Sequence, residues 1–168
     1  MGLSLSVREI RLFGDPVLKT PTQKITDLSS AEGLIQDLLD TTALPGRAGV
    51  AATQIGVSLA AFSYNVHGEI GYLINPEIID VQGEVQLVEE GCLSVPGLWH
   101  KTPRYPKATA RGQLLDGSVV EITGEGLLAQ ALQHECDHLE GKLYLDRLLP
   151  DERKLAFANL RQQEWFLA

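Results

Sequence analysis

The densest concentration of chemistry in the chain is His134-Glu135-Cys136-Asp137-His138, an H-E-x-x-H pattern. Two imidazoles four positions apart on a helix share one face, so both can reach a single ion at roughly 2.0–2.1 Å. Glu135 stands roughly 100° around the helix from His134, beside such an ion, where a general base for an activated water belongs. Cys136 points roughly 200° away from both histidines and reads as a small core residue, not a ligand. Asp137 reads as a local pairing group. The bland alternative is two surface histidines flanked by acids. Leu128, Leu132 and Leu139 argue against it, because they give the same helix a buried stripe.

A catalytic metal site wants a third protein ligand and an open position. Downstream of the helix, Glu140 follows too closely and Glu164 lies near the chain's end. Upstream, Glu90-Gly91-Cys92-Leu93-Ser94-Val95-Pro96-Gly97 places one cysteine after a strand-like segment, bracketed by glycine and proline. Taken alone, a lone cysteine is more often a buried core thiol. Glu90 reads equally as a partner for a ligand or for Arg104, or as a salt bridge at a strand end.

With these residues in view, the chain resembles the peptide deformylases. Three motifs occur in that family's order: Gly49-Val50-Ala51-Ala52-Thr53-Gln54, Glu90-Gly91-Cys92-Leu93-Ser94 and Gln133-His134-Glu135-Cys136-Asp137-His138. The context agrees at Gly14-Asp15-Pro16-Val17-Leu18, Ile74-Asn75-Pro76 and Gly126-Leu127-Leu128-Ala129, so the likeness spans residues 8 to 150. It implies removal of the N-formyl group from the starting methionine of new polypeptides, with release of formate. It also implies a divalent ion on Cys92, His134 and His138, with Fe(II) as the resident metal and Zn, Ni or Co as replacements. Glu135 would take the water proton and deliver it to the leaving amine, while Gln54 and the Leu93 N–H would meet the oxyanion. For substrate, the resemblance implies Gly49 beside the peptide backbone. Val50, Val88, Leu93, Leu127, Ala131 and His134 would surround the methionine side chain, with Gln130 at the pocket's edge. Two departures stand out: Arg47 where the family usually has glycine, and Trp99 where many relatives carry arginine. Both bear on substrate contact rather than on the metal ligands.

Particular elements must position these groups. The run from Leu28 to Ala43 has helical spacing, with Ser29 or Ser30 as cap and Pro45-Gly46 to end it. Between Val57 and Val120 the pattern becomes that of strands: Leu59 to Tyr64, Gly71 to Ile74, the alternating Val85 to Glu89, and a hairpin around Asp116-Gly117. Helix returns over Leu127 to Leu139, with Gly141 placed to stop it, and again from Pro150 to about Trp165. The order predicts an α+β fold: mostly antiparallel strands packed around a central helix carrying the H-E-x-x-H motif, with a C-terminal helix. Residues 1–168 read as one catalytic domain, without repeats or linkers.

Composition limits the remaining options. Of the 168 residues 44% are hydrophobic and 21% charged, the balance of a folded globular chain. The net charge of −8 argues against general nucleic-acid binding, and no stretch approaches the ~20 apolar residues of a membrane span. MGLSLSVREIRLFGD lacks the basic start and apolar run of a signal peptide, and two cysteines suit a reducing cytoplasm. The expected partners are therefore nascent polypeptides bearing formyl-methionine. Asp151 to Ala168 could touch the ribosome transiently, meet another subunit, or pack on its own core. Two rival functions share the helix motif: a zincin-type metallopeptidase, which lacks a convincing downstream ligand, and a metal-binding recruitment module, which would not need Glu135.

Overall fold

A computed structural model describes residues 6–167, so the first five residues of the N-terminal stretch lie outside the described residues. In chain order the elements are α1 (Glu32–Thr42), β1 (Gly49–Ala51), β2 (Ala61–Val66), β3 (Glu69–Gln82), β4 (Gln86–Cys92), β5 (Val95–Arg104), β6 (Lys107–Gln113) and β7 (Val119–Glu125). They are followed by α2 (Leu127–Leu139), α3 (Pro150–Leu160) and α4 (Glu164–Leu167). Two antiparallel sheets result: five strands in the order β1-β2-β3-β6-β7, and the pair β4-β5. The α+β class and the antiparallel pairing match the sequence expectation.

The motif helix is central. α2 packs against β1, β2, β3, β6 and β7, burying Leu132 and Leu139 with Ala51, Phe62, Leu73 and Ala110. Its polar residues are thereby turned toward the gap between the sheets. The helix begins at Gly126, whose φ of 57° lets the chain leave β7 and enter α2 within one residue.

Three local expectations are corrected. The first helix is shorter at both ends, because Leu28–Ala31 forms a 3-10 turn capped by Asp27, which accepts from the Ser29 N–H. Aspartate, not serine, therefore caps this segment. β3 runs on through Asn75-Pro76 to Gln82, well past the Gly71 to Ile74 run that the sequence marks as a strand. A register shift between Ile74 and Glu77 absorbs the proline, which has no N–H to lend to the ladder. Asn75, at φ 50°, turns its amide onto the backbone of Ile25. Finally, the C-terminal helix breaks after Leu160. Trp165 then donates from its indole to the Pro96 carbonyl at 3.0 Å, and Phe166 stacks near Phe13. Both aromatics pack on the cluster of Leu18, Val95, Leu145 and Leu160, so this segment lies against its own core.

Candidate active site

α2 carries three of the groups singled out by type and spacing. His134 and Glu135 are 8% and 3% exposed and His138 is fully buried. The two Nε2 atoms are 3.2 Å apart, and Cys92 Sγ lies 3.4 Å from that of His138. All three donor atoms lie within 4.8 Å of one another. Tetrahedral coordination at ordinary metal–nitrogen and metal–sulfur lengths sets such edges at roughly 3.3–3.6 Å, so the donor set fits a divalent transition ion. Three electron-pair donors converging on one point repel each other unless a cation or proton lies between them. Neither Glu140 nor Glu164 joins the cluster among the described residues.

A buried ionic network orients these donor atoms. His134 Nδ1 meets Glu90 Oε2 at 2.7 Å, which leaves its Nε2 facing Cys92 and His138. Glu90 in turn receives both arms of Arg104, at 2.9 and 2.6 Å. Arg104 also donates to Asp137 at 2.7 Å, and Asp137 takes a pair of hydrogen bonds from Arg147. Glu90 is therefore partner to His134 and to Arg104 at once, and Asp137 is a pairing group. Burial alone would raise the Glu90 carboxyl. Hydrogen bonds from Arg104 and His134 outweigh it and hold the group down at about 2.

Glu135 has the opposite environment. Desolvation dominates and lifts its carboxyl to about 7, despite the neighbouring His134. Its Oε1 has no hydrogen-bond partner among the described residues. Oε2 lies against Gly49: a Cβ on that residue would be 2.6 Å from the oxygen. A carboxylate poised near neutrality at the wall of a cleft is suited to shuttling protons. Cys136 faces away, packed with the Leu132 cluster, where burial pushes its thiol far up. It takes no part in the metal group.

Gln54 is buried in a 3-10 turn directly after β1, and its Nε2 faces both Cys92 Sγ at 3.6 Å and Ser94 Oγ at 3.2 Å. A cleft of about 530 Å³ opens over these groups. Gly49 and Gln54, Cys92 and Leu93, and Leu127, Ala131, His134 and Glu135 are among the residues that line it. Two expected lining residues stand elsewhere. Val50 is fully buried with Ile35 and Leu38, because alternation along β1 turns it to the opposite face from Gly49. Val88 borders a neighbouring hollow with Arg104 and Tyr105. Arg47 lines the cleft and donates to the Thr41 carbonyl at 3.0 Å, tying the loop to the end of α1. Trp99 is 68% exposed at the rim, its ring laid over Gly91.

Gln130, expected at the pocket's edge, lines the cleft and donates to the Glu89 carbonyl and to Glu90, tying β4 to α2. Two participants were missed in the sequence: Arg147 reaches Asp137 from beyond the helix, and Tyr144 stacks on the His134 ring with centroids 6.4 Å apart.

Fold and site together define a hydrolase-type cleft with a Cys/His/His donor set and a buried carboxylate beside it. Comparison with known proteins narrows the class. The sequence model of the polypeptide deformylase family matches residues 7–154. A peptide deformylase of Acidothermus cellulolyticus is 48% identical over 162 residues, covering 96% of this chain and 89% of that protein. Peptide deformylase 1 of Corynebacterium glutamicum is 42% identical, with 96% and 99% of the two chains covered. A crystal structure of a peptide deformylase from Legionella pneumophila superposes with a TM-score of 0.85 at 39% identity, covering 93% of this chain and 94% of that one. The chain belongs to the polypeptide deformylase family, and is an enzyme of that class.

Proposed function

We propose that this protein removes the N-formyl group from the N-terminal methionine of newly made polypeptides, releasing formate, and that residues 1–168 form one catalytic unit. The observation that carries this is the joint placement of Cys92, His134 and His138 around one point, with Glu135 and Gln54 facing it from the cleft wall. Cys92, His134 and His138 would hold the ion, Fe(II) in the cell with Zn, Ni or Co able to replace it, and it would supply Lewis acidity and acidify water.

The chain's own residues account for the rest. β1 and β4 each present an edge to the cleft, so an extended peptide can lie between Gly49 and Glu89–Gly91 and pair with their backbones. The methionine side chain then meets the apolar floor at Leu127 and Ala131. Glu135 takes a proton from the attacking water as its oxygen bonds to the formyl carbon. The oxygen that becomes negative accepts from Gln54 Nε2 and the Leu93 N–H. When the C–N bond breaks, Glu135 returns the proton to the departing nitrogen, leaving formate and a free amine. Such substrates place the enzyme in the cytoplasm beside nascent chains.

The test is formate release from formyl-Met-Ala-Ser by anaerobically prepared enzyme, beside Glu135→Ala. The variant should keep its metal and lose at least about 10²-fold in kcat. Cleavage of an internal amide without formate, or full activity in Glu135→Ala, refutes the proposal.

A further inference from the structure

The Gln54 amide is held at both ends. Its Oε1 accepts from the Ala51 N–H at 3.0 Å, and its Nε2 donates to Ser94 Oγ at 3.2 Å. A primary amide is planar with two hydrogens on Nε2, so fixing Oε1 and one hydrogen fixes the direction of the other. Cys92 Sγ, 3.6 Å from Nε2, marks the side on which the metal donors lie. Ser94 is fully buried and Gln54 is 1% exposed, so bulk water does not compete for this contact.

The backbone supplies a frame around that side-chain bond. Arg11 N–H donates to the Gln54 carbonyl at 2.7 Å, and Phe13 N–H donates to the Ser94 carbonyl at 2.8 Å. Arg11 and Phe13 are two residues apart in one segment. That segment therefore spaces the turn after β1 from the turn after β4. Phe13 is itself anchored between the rings of Phe157 and Phe166, each with centroids 6.1 Å away. Three hydrogen bonds thus close a ring through residues 11–13, Gln54 and Ser94.

We propose that Ser94 is a positioning residue: its hydroxyl, braced by residues 11–13, aims the Gln54 amide at the oxygen that becomes negative during deformylation. This rests on the function proposed above. Ser94 touches no reacting atom in this scheme and acts only through Gln54. A purely structural serine would lower stability on removal without a kcat effect that depends on Gln54.

The experiment uses full-length, metal-loaded wild type, Ser94→Ala, Ser94→Thr, Gln54→Ala and the Gln54→Ala/Ser94→Ala double variant. Formate release from formyl-Met-Ala-Ser and thermal melts are measured on each, with ¹⁵N spectra of the Gln54 side-chain amide in the zinc form of wild type and Ser94→Ala. Ser94→Ala should lower kcat about tenfold with KM within about twofold, a fraction of the loss expected for a missing oxyanion donor. Ser94→Thr, which keeps the hydroxyl, should recover most of kcat. In the Gln54→Ala background the serine change should alter kcat by less than about twofold, because the two act as one unit. The Gln54 amide resonances should move in Ser94→Ala. An equal kcat loss in both backgrounds, a change confined to KM, or unmoved amide resonances overturns the proposal. If wild type itself releases no formate, the deformylase reading fails instead, and the amide spectra still decide whether Ser94 holds Gln54.

Discussion

Gly49→Ala tests whether the approach of Glu135 to β1 matters for catalysis. The added Cβ would stand 2.6 Å from Glu135 Oε2 and 3.0 Å from its Cγ and Cδ. Ordinary contact begins at 3.4 Å, so the oxygen must retreat by about 0.8 Å unless the strand moves. The strand is the stiffer party: Gly49 pairs with Tyr64 across β2, and the neighbouring Val50 is fully buried. Glu135 is the softer one, since its other oxygen has no hydrogen-bond partner among the described residues. Misplacing a catalytic group by about 1 Å can cost on the order of 10²-fold, so a kcat loss of roughly 10- to 100-fold is expected. That corresponds to about 1.4–2.7 kcal/mol in the barrier. Metal content should be unchanged, because the three atoms nearest the added Cβ all belong to Glu135 and none to Cys92, His134 or His138. Stability should change by less than about 1 kcal/mol, as overpacking is relieved by the carboxylate and offset by lower chain entropy in the unfolded state. The assay is formate release with kcat and KM resolved, alongside metal analysis and a thermal melt. A kcat within twofold of wild type would refute the reasoning, as would activity lost only in proportion to lost metal.

Two further perturbations probe the network behind the ligands. Arg104→Met removes the guanidinium shared by Glu90 and Asp137 and leaves a buried carboxylate short of its partner. A loss of about 3–5 kcal/mol in urea-melt stability is expected, and a loss under 1 kcal/mol would contradict it. The pH dependence follows from Glu90, held in the fold at about 2 against an ordinary 4.5. A carboxyl depressed by folding stabilises the native state above its unfolded value and loses that contribution as pH falls toward the folded value. Stability should thus decline as pH falls from about 5 toward 2 on account of this group. Glu90→Gln should be less stable at pH 7 and show a flatter acid limb; parallel acid limbs would exclude Glu90 as the source.

Legibility in the sequence followed the range of the interactions involved. The His134–His138 pair, the position of Glu135 and the exclusion of Cys136 depend on helical periodicity, a local property that four or five residues express fully. The bounds of α2 and the hairpin at Asp116-Gly117 were readable for the same reason, as local turn chemistry and spacing decide them. Motif order joined Cys92 and Gln54 to the helix through resemblance, before any geometry placed them together. Other outcomes depended on atoms distant in sequence. Val50 and Val88 left the cleft because strand alternation and the neighbouring hollow, not apolar character, decide which way a valine faces. Asn75-Pro76 stayed within β3 because a partner strand could absorb a bulge. Glu90 became the hinge between His134 and Arg104 only when β4 met α2. Composition and periodicity therefore determined the fold class and the motif helix, and motif order through resemblance supplied the other chemical types at the site. Tertiary structure alone decided the network behind His134, the pinning of Gln54 by Ser94 and the fit of Glu135 against Gly49, because the key contacts Glu90–His134, Ser94–Gln54 and Gly49–Glu135 join residues 40 or more positions apart, which no local pattern records.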